Sequence, residues 1–235
     1  LFDIMIPADM QPHVCLVVMG SEGRGEQIMK TDQDNAIIHR DGLVWPEMQE
    51  RLNEFSKTLI EFGFPPCPGN IMVSNPDWVK SLGDWTQMLQ DWAERCDGDA
   101  LMNLAIAVDA KPVAGNPAIF KASRNWFMRY LRNNDVFFSH FARASIEFDT
   151  PLTFFGNLKE KGELDIKKGG IFPIVHGVRT LALEHRIKVT NTFKRIEELV
   201  EQLTEVNSHI ADLRTNELRD QRERQELLTA RRDAE

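Results

Sequence analysis

Cysteine is scarce in this chain. Cys15, Cys67 and Cys96 are the only three in 235 residues, and none stands in a Cys-x-x-Cys or Cys/His metal spacing. A disulfide-stapled scaffold is excluded, and a reducing, cytoplasmic setting fits best. Long apolar runs are also missing. The longest early run, Val14 to Met19, is strand-sized, whereas a bilayer span needs roughly 20 apolar residues. No basic segment followed by an apolar core marks a signal peptide. The chain opens on Leu1 rather than Met, so a longer parent polypeptide is expected. Basic charge is in deficit: 28 Lys and Arg against 36 Asp and Glu leave a net charge of −8. That argues against a protein wrapping nucleic acid by phosphate neutralisation. It leaves room for one nucleotide as a ligand, which needs only a local cluster of donors. No repeat or low-complexity tract occurs. The 42% apolar and 27% charged content is that of a globular protein, not a disordered one.

The hydrophobic pattern divides the chain near residue 115. Before it the elements alternate. Residues 14–19 (VCLVVM) read as a buried strand, and a Gly-rich turn follows at Gly20 to Gly25. Residues 34–39 (DNAIIH) read as a second strand. Met48, Leu52, Phe55, Leu59 and Phe62 recur at helical spacing behind Pro46. Pro65 to Asn70 is a rigid loop. A helix is predicted after Asn75-Pro76, carrying Trp78, Leu82, Trp85, Leu89 and Trp92 on one stripe. That stripe reads as core packing, with an aromatic ligand box as the alternative. Residues 103–109 (NLAIAVD) read as a strand ending on an aspartate, and Lys111 to Asn116 as a loop. Past residue 117 only helical patterns remain, and the stretch from Asp212 to Glu235 mixes both charges densely. The expected architecture is a small mixed sheet with helices over residues 1–115, followed by an all-α bundle over residues 116–235.

One stretch carries chemistry: Gly20-Ser21-Glu22-Gly23-Arg24-Gly25, then Thr31-Asp32-Gln33-Asp34-Asn35. Gly20 lets backbone approach a phosphate without a Cβ in the way. Ser21 adds a hydroxyl and a backbone donor. Arg24 can fork two hydrogen bonds to a phosphate. Asp32 and Asp34, two apart, would project to one side of an extended chain. Paired carboxylates repel unless a cation lies between them, and Mg²⁺ favours a few carboxylates plus phosphate oxygens. Two-metal nucleotidyl transfer usually adds a third acid. Asp109 is the candidate, with Lys111 behind it for phosphate; alone, Asp109 would read as a turn or cap residue. The segment is neither a Walker A loop nor a dinucleotide fingerprint.

Gly20-Ser21, ten residues, then Asp32-x-Asp34 resembles the signature of the DNA polymerase β-like nucleotidyltransferase superfamily. GSEGRGEQ…TDQDNAII resembles a narrower bacterial nucleotidyltransferase family often fused to cyclic-nucleotide-binding and CBS domains. That family is similar to the catalytic domain of the uridylyltransferase that modifies the PII protein. CPGNIMVSNPDWVKSLGDW, VDAKPVAGN and GGIFPIVHGVRTLALEHRI extend the resemblance to about residues 14–200. It implies a nucleotidyltransferase fold with a helical substrate-binding domain. It implies an NTP substrate, two Mg²⁺ ions (Mn²⁺ as the substitute) and a protein or small-molecule acceptor, in a signalling role. Asp32, Asp34 and Asp109 would match the metal-binding, catalytic acids. Gly20, Ser21, Arg24 and Lys111 would match the nucleotide-binding set. Gln33 and Asn35 depart from the superfamily, which usually has apolar residues beside the second acid. Lys111 stands where arginine is expected, keeping the charge and losing the fork. The alternative is a catalytically silent regulatory module that binds a nucleotide or a protein. In the helical part, His176 and Arg179 share a helix face and would be acceptor-site residues. The competing reading makes them a buried or capping histidine and a surface arginine. His185, Asn191, Thr192 and Arg195 are further polar candidates. The aromatic residues over 120–148 permit a homodimer interface.

Overall fold

The computed structural model describes residues 1–29, 32–146 and 167–233. The chain opens with a one-turn helix α1 (Phe2–Met5), and a 3-10 turn leads into β1 (Val14–Val18), α2 (Gly20–Arg24) and β2 (Asn35–His39). Next come α3 (Met48–Glu61), β3 (Val79–Ser81), α4 (Leu82–Arg95), α5 (Gly98–Ala107) and β4 (Lys111–Gly115). The remaining helices are α6 (Pro117–Tyr130), α7 (Asp135–Ile146), α8 (Phe172–Glu184) and α9 (Thr192–Asp233), with a π-helical turn at Lys167–Ile171 leading into α8. This is a small mixed sheet with helices followed by a helical C-terminal region. None of the described helices is long and apolar enough to cross a membrane.

The sheet order is β3-β2-β1-β4, antiparallel on both sides of β1 and parallel between β2 and β3. All five residues of β1 are buried, which explains its unbroken apolar run. Alternate residues serve two different cores. Cys15 and Val17 pack with Trp78, Trp85, Leu89, Phe120 and Phe127. Val14 and Leu16 pack with Phe2, Ile6, Trp45, Leu52 and Phe55 on the other face. The register pairs Val18 with Asn35 on one side and with Lys111 on the other. The last residue of β1 and the first residues of β2 and β4 therefore meet at one end of the sheet.

Three elements differ from the sequence expectation. Residues 103–109 are not a strand: α5 covers Gly98–Ala107, and Asp109 lies in the turn after it. Its start is capped by Asp97, whose carboxylate accepts from Ala100 N at 2.8 Å. The five-residue apolar run Leu104 to Val108 fits a buried helix as well as a strand. Lys111 to Gly115 is not a loop but the edge strand β4, where Pro112 is tolerated. Asn75-Pro76 opens a 3-10 turn, and α4 begins only at Leu82, after β3. Ser81 is its cap, accepting from Asp84 N at 3.1 Å, a signal readable as Ser-x-x-Asp. Trp78 thus lies outside the helix, yet it packs on Trp85 and Trp92 at centroid distances of 6.2 and 5.8 Å. The tryptophans belong to the core.

By internal contacts the chain divides into two units, Leu1–Arg195 and Ile196–Glu235. Residue 115 falls inside the first, where α6 shares a core with β1. The aromatic residues Phe120, Phe127, Phe137 and Phe141 are all buried in that core.

Candidate functional site

The site grows from the end of β1. Met19 N donates to Asp34 O at 2.8 Å, which holds the chain entering α2 against the chain entering β2. Gly20 then turns with φ +56°, and a Cβ built on it would lie 2.4 Å from Asp34 Oδ2. Only glycine allows that approach. The Gly-rich turn and the second aspartate are therefore one structure, not two motifs that happen to be near in sequence. Gly20 and Ser21 are both half-buried. Gly23 has a separate duty: a Cβ there would lie 2.3 Å from Asp109 O and 2.8 Å from Val18 O. It lets α2 settle between β1 and the turn after α5.

Asp32 and Asp34 flank Gln33 in the irregular stretch just before β2. Thr31 of the motif lies outside the described residues. Gln33 is 2% exposed and points away from its neighbours into the protein. Its Nε2 donates to Ser56 O at 3.2 Å and Phe64 O at 3.1 Å, and its Oε1 accepts from Ser56 Oγ at 3.0 Å. Asn35 is equally committed: Oδ1 accepts from Val73 N at 2.9 Å, and its own N donates to Ile71 O at 3.1 Å. The two polar residues around the second acid tie the acid pair to α3 and to the loop over residues 64–73. Apolar residues there could not satisfy those backbone groups.

That loop delivers a residue the sequence reading passed over. Cys67, 9% exposed, places its Sγ among the carboxylate oxygens of Asp32 and Asp34, all within 4.8 Å of one another. Burial pushes the Cys67 thiol up, and a hydrogen bond to Asp34 pushes it further. Glu22 faces the same centre: burial and the Asp34 charge raise its carboxyl above the ordinary range. Nothing in the spacing of Cys67 marked it, because its partners lie about 35 residues upstream. Asp32, Asp34 and Cys67 could hold a divalent metal ion. The set offers two hard oxygens and one soft sulfur, which suits several divalent ions.

Asp109 is not in this cluster. It is fully buried, and both of its oxygens accept from guanidinium groups. Arg24 Nη1 donates to Oδ2 at 2.8 Å, Arg179 Nη2 to Oδ2 at 2.6 Å and Arg195 Nη1 to Oδ1 at 2.8 Å. Burial alone would push the carboxyl up; Arg179 and then Arg195 overcome this and hold it well below the usual carboxylate range. In this structure a cation has no approach to those oxygens. Arg24, read as a phosphate fork, also donates its Nε to Glu26 at 2.7 Å. Lys111 is exposed at the start of β4, across from Val18 and so beside the Gly20 turn.

His176 and Arg179 are each 7% exposed. The histidine Nε2 donates to Phe141 O at 2.7 Å, and its Nδ1 accepts from Arg179 Nη1 at 2.9 Å. Their polar atoms join α8 to α7 and to Asp109. Burial, then the neighbouring Arg179 charge, pulls His176 down to about 4. His185 is exposed at the end of α8. The segment after α8 clamps the Gly-rich stretch. Thr190 Oγ1 donates to Gly23 O at 2.8 Å, Asn191 Nδ2 to Arg24 O at 3.2 Å, and Thr192 N to Glu26. These residues and Arg195 thus support the turn from behind.

A glycine-lined turn abutting paired aspartates at one end of a small mixed sheet, with helices following, is the arrangement of a nucleotidyltransferase-like domain joined to a helical domain. Comparison with known families agrees. Residues 2–99 match the family described as Putative nucleotidyltransferase DUF294. Residues 135–230 match that described as Putative nucleotidyltransferase substrate binding domain. The two matches together span most of the chain and support its assignment to a nucleotidyltransferase family. Gly20, Ser21, Asp32, Asp34 and Cys67 fall in the first match, and His176, Arg179 and Arg195 in the second. Asp109 and Lys111 fall in neither. No curated protein matches the chain.

Proposed function

We propose that the chain is a Mg²⁺-dependent nucleotidyltransferase that moves a nucleoside monophosphate from an NTP to a protein or small-molecule acceptor in a signalling pathway. The observation that carries this reading is the contact of the Gly20 turn with the Asp34 carboxylate, where a Cβ would come within 2.4 Å of Oδ2. A triphosphate laid on the turn is then next to the acid pair. Asp32 and Asp34 hold the metal, with the Cys67 sulfur in reach. The bound ion would offset phosphate charge and polarise the reacting oxygens. The backbone and hydroxyl of Ser21 cradle the β and γ phosphates, and Lys111 adds a cation at the same sheet end. An acceptor hydroxyl attacks the α-phosphorus, the bond to the β-phosphate oxygen breaks, pyrophosphate leaves and the acceptor proton passes to solvent. Positioning and charge stabilisation supply most of the rate. Asp109 acts as a positioning residue: through Arg24 it fixes the end of the glycine turn, and through Arg179 and Arg195 it ties that turn to helices beyond residue 115. The division near 115 is in this reading a functional one, between nucleotide-binding and acceptor-binding parts.

One observation favours the silent module instead. The third acid expected of the superfamily is taken up by three arginines. The test is pyrophosphate release with each NTP, Mg²⁺ and a panel of acceptors, alongside calorimetry of NTP binding. Release that disappears in Asp32→Asn and Asp34→Asn supports transfer. Metal-dependent NTP binding with no release from any acceptor overturns it in favour of the module.

A further inference from the structure

The apolar face of α9 bears on assembly, independently of the transfer chemistry. Helix α9 runs for 42 residues. From Ile196 to Leu213 its large apolar side chains, Val200 apart, fall at Ile196, Leu199, Leu203, Val206, Ile210 and Leu213, alternately three and four apart. That is the a/d pattern of a coiled coil over almost three heptads. Ile196, Leu203, Val206, Ile210 and Leu213 are 39–60% exposed. A stripe this long does not stay in water without cost.

The charges say what covers it. With Ile196 at a, the e positions are Val200, Asn207 and Arg214, and the g positions are Gln202, His209 and Asn216. Across a parallel pair of identical helices, Gln202 meets Asn207 and His209 meets Arg214, so no two acids face each other along the seam. The acids Glu197, Glu198, Glu201, Glu205 and Asp212 occupy only b, c and f, away from the seam. A seam flanked by amides and free of acids suits its own copy. A strongly charged partner would find little to answer at e and g, where Arg214 is the one Lys, Arg, Asp or Glu side chain. Ile at a with Leu at d in the first and third heptads favours two parallel strands.

We propose that residues 196–213 form a parallel two-stranded coiled coil with a second copy of this chain. The test uses the 235-residue chain in size-exclusion chromatography with light scattering. The expected mass is twice 27.0 kDa, falling to the single-chain mass in the double variant Leu203→Glu/Ile210→Glu. The outward variant Glu201→Lys keeps the dimer. Both substitution sites are exposed, so circular dichroism should show the first unit still folded. Orientation is read by Leu213→Cys in a Cys96→Ser background under mild oxidant. Parallel strands place the two residues 213 face to face and cross-link rapidly. Antiparallel strands hold 213 opposite 196, about 25 Å from its counterpart. A single-chain mass for the unsubstituted protein, a dimer that survives the double variant, or a dimer that does not cross-link each overturns the proposal.

Discussion

Among the described residues, two carboxylate centres differ in their access to solvent. Asp109 is sealed and already has its cations, in the form of Arg24, Arg179 and Arg195. Asp32 and Asp34 are half-buried and stand beside a third acid, Glu22, which the Asp34 charge already perturbs. One centre is complete without a ligand; the other has negative charge held together by backbone ties from Gln33 and Asn35. Removing charge from the first should damage the fold. Removing it from the second should relieve the fold and damage function.

The largest effect on stability is expected at the sealed centre. Asp109→Ala leaves the buried Arg179 and Arg195 without their counter-ion, and Arg24 with Glu26 alone. Breaking such a pair costs about 3–5 kcal/mol, read as a lower midpoint in urea unfolding. If Asp109→Ala unfolds like the unsubstituted chain, the arginines find other partners and the contrast between the centres fails.

Acid should expose the same asymmetry. His176 titrates near 4 when folded and about 6.5 when unfolded. Between those values the unfolded chain binds the extra proton, so stability is full above about 6.5 and declines as pH falls through the window. The slope is at most about 1.4 kcal/mol per pH unit. Below that window the depressed Asp109 carboxyl adds its own loss, beginning near the ordinary Asp range. His176→Phe removes the first phase and leaves the second. Urea midpoints from pH 7 to 3 measure both.

The tie between the acid pair and the fold comes next. Gln33→Leu deprives Ser56 O, Phe64 O and Ser56 Oγ of their partners, at about 1–3 kcal/mol. It should also weaken Mn²⁺ binding, followed by water proton relaxation. Unchanged metal affinity would mean that the pair is placed without this tie.

Much of this was legible beforehand, and the gaps have physical causes. The β1 run, the helix behind Pro46 and the Gly-Ser…Asp-x-Asp conjunction could be read because local patterns carry them. Asp109 was found as a residue, but its surroundings were not. Its three partners come from residues 24, 179 and 195, and no local period links them. The strand assigned to residues 103–109 followed from an apolar run too short to tell strand from buried helix. Cys67 escaped because the loop that brings it in is held by backbone bonds to Gln33 and Asn35. Those two residues stood out as departures from the superfamily pattern. They were the available sign that the acid pair is tied to another loop.

The smallest effect on stability, and the most telling, is expected at the accessible pair. Asp34→Asn keeps the shape of the side chain and removes one of the negative charges facing Asp32 and Glu22. Stability should change by no more than about 0.5 kcal/mol or rise slightly, as is usual when a site strained for function is neutralised. The Glu22 carboxyl, raised by burial and by Asp34, should titrate closer to its ordinary value, which carbon-detected NMR can follow. Mn²⁺ binding should be lost in the same variant. A fold that tolerates the change while the metal no longer binds would mean that this pair answers to a ligand and not to packing. A strongly destabilised Asp34→Asn that still binds Mn²⁺ would reverse the assignment and make both acid centres structural.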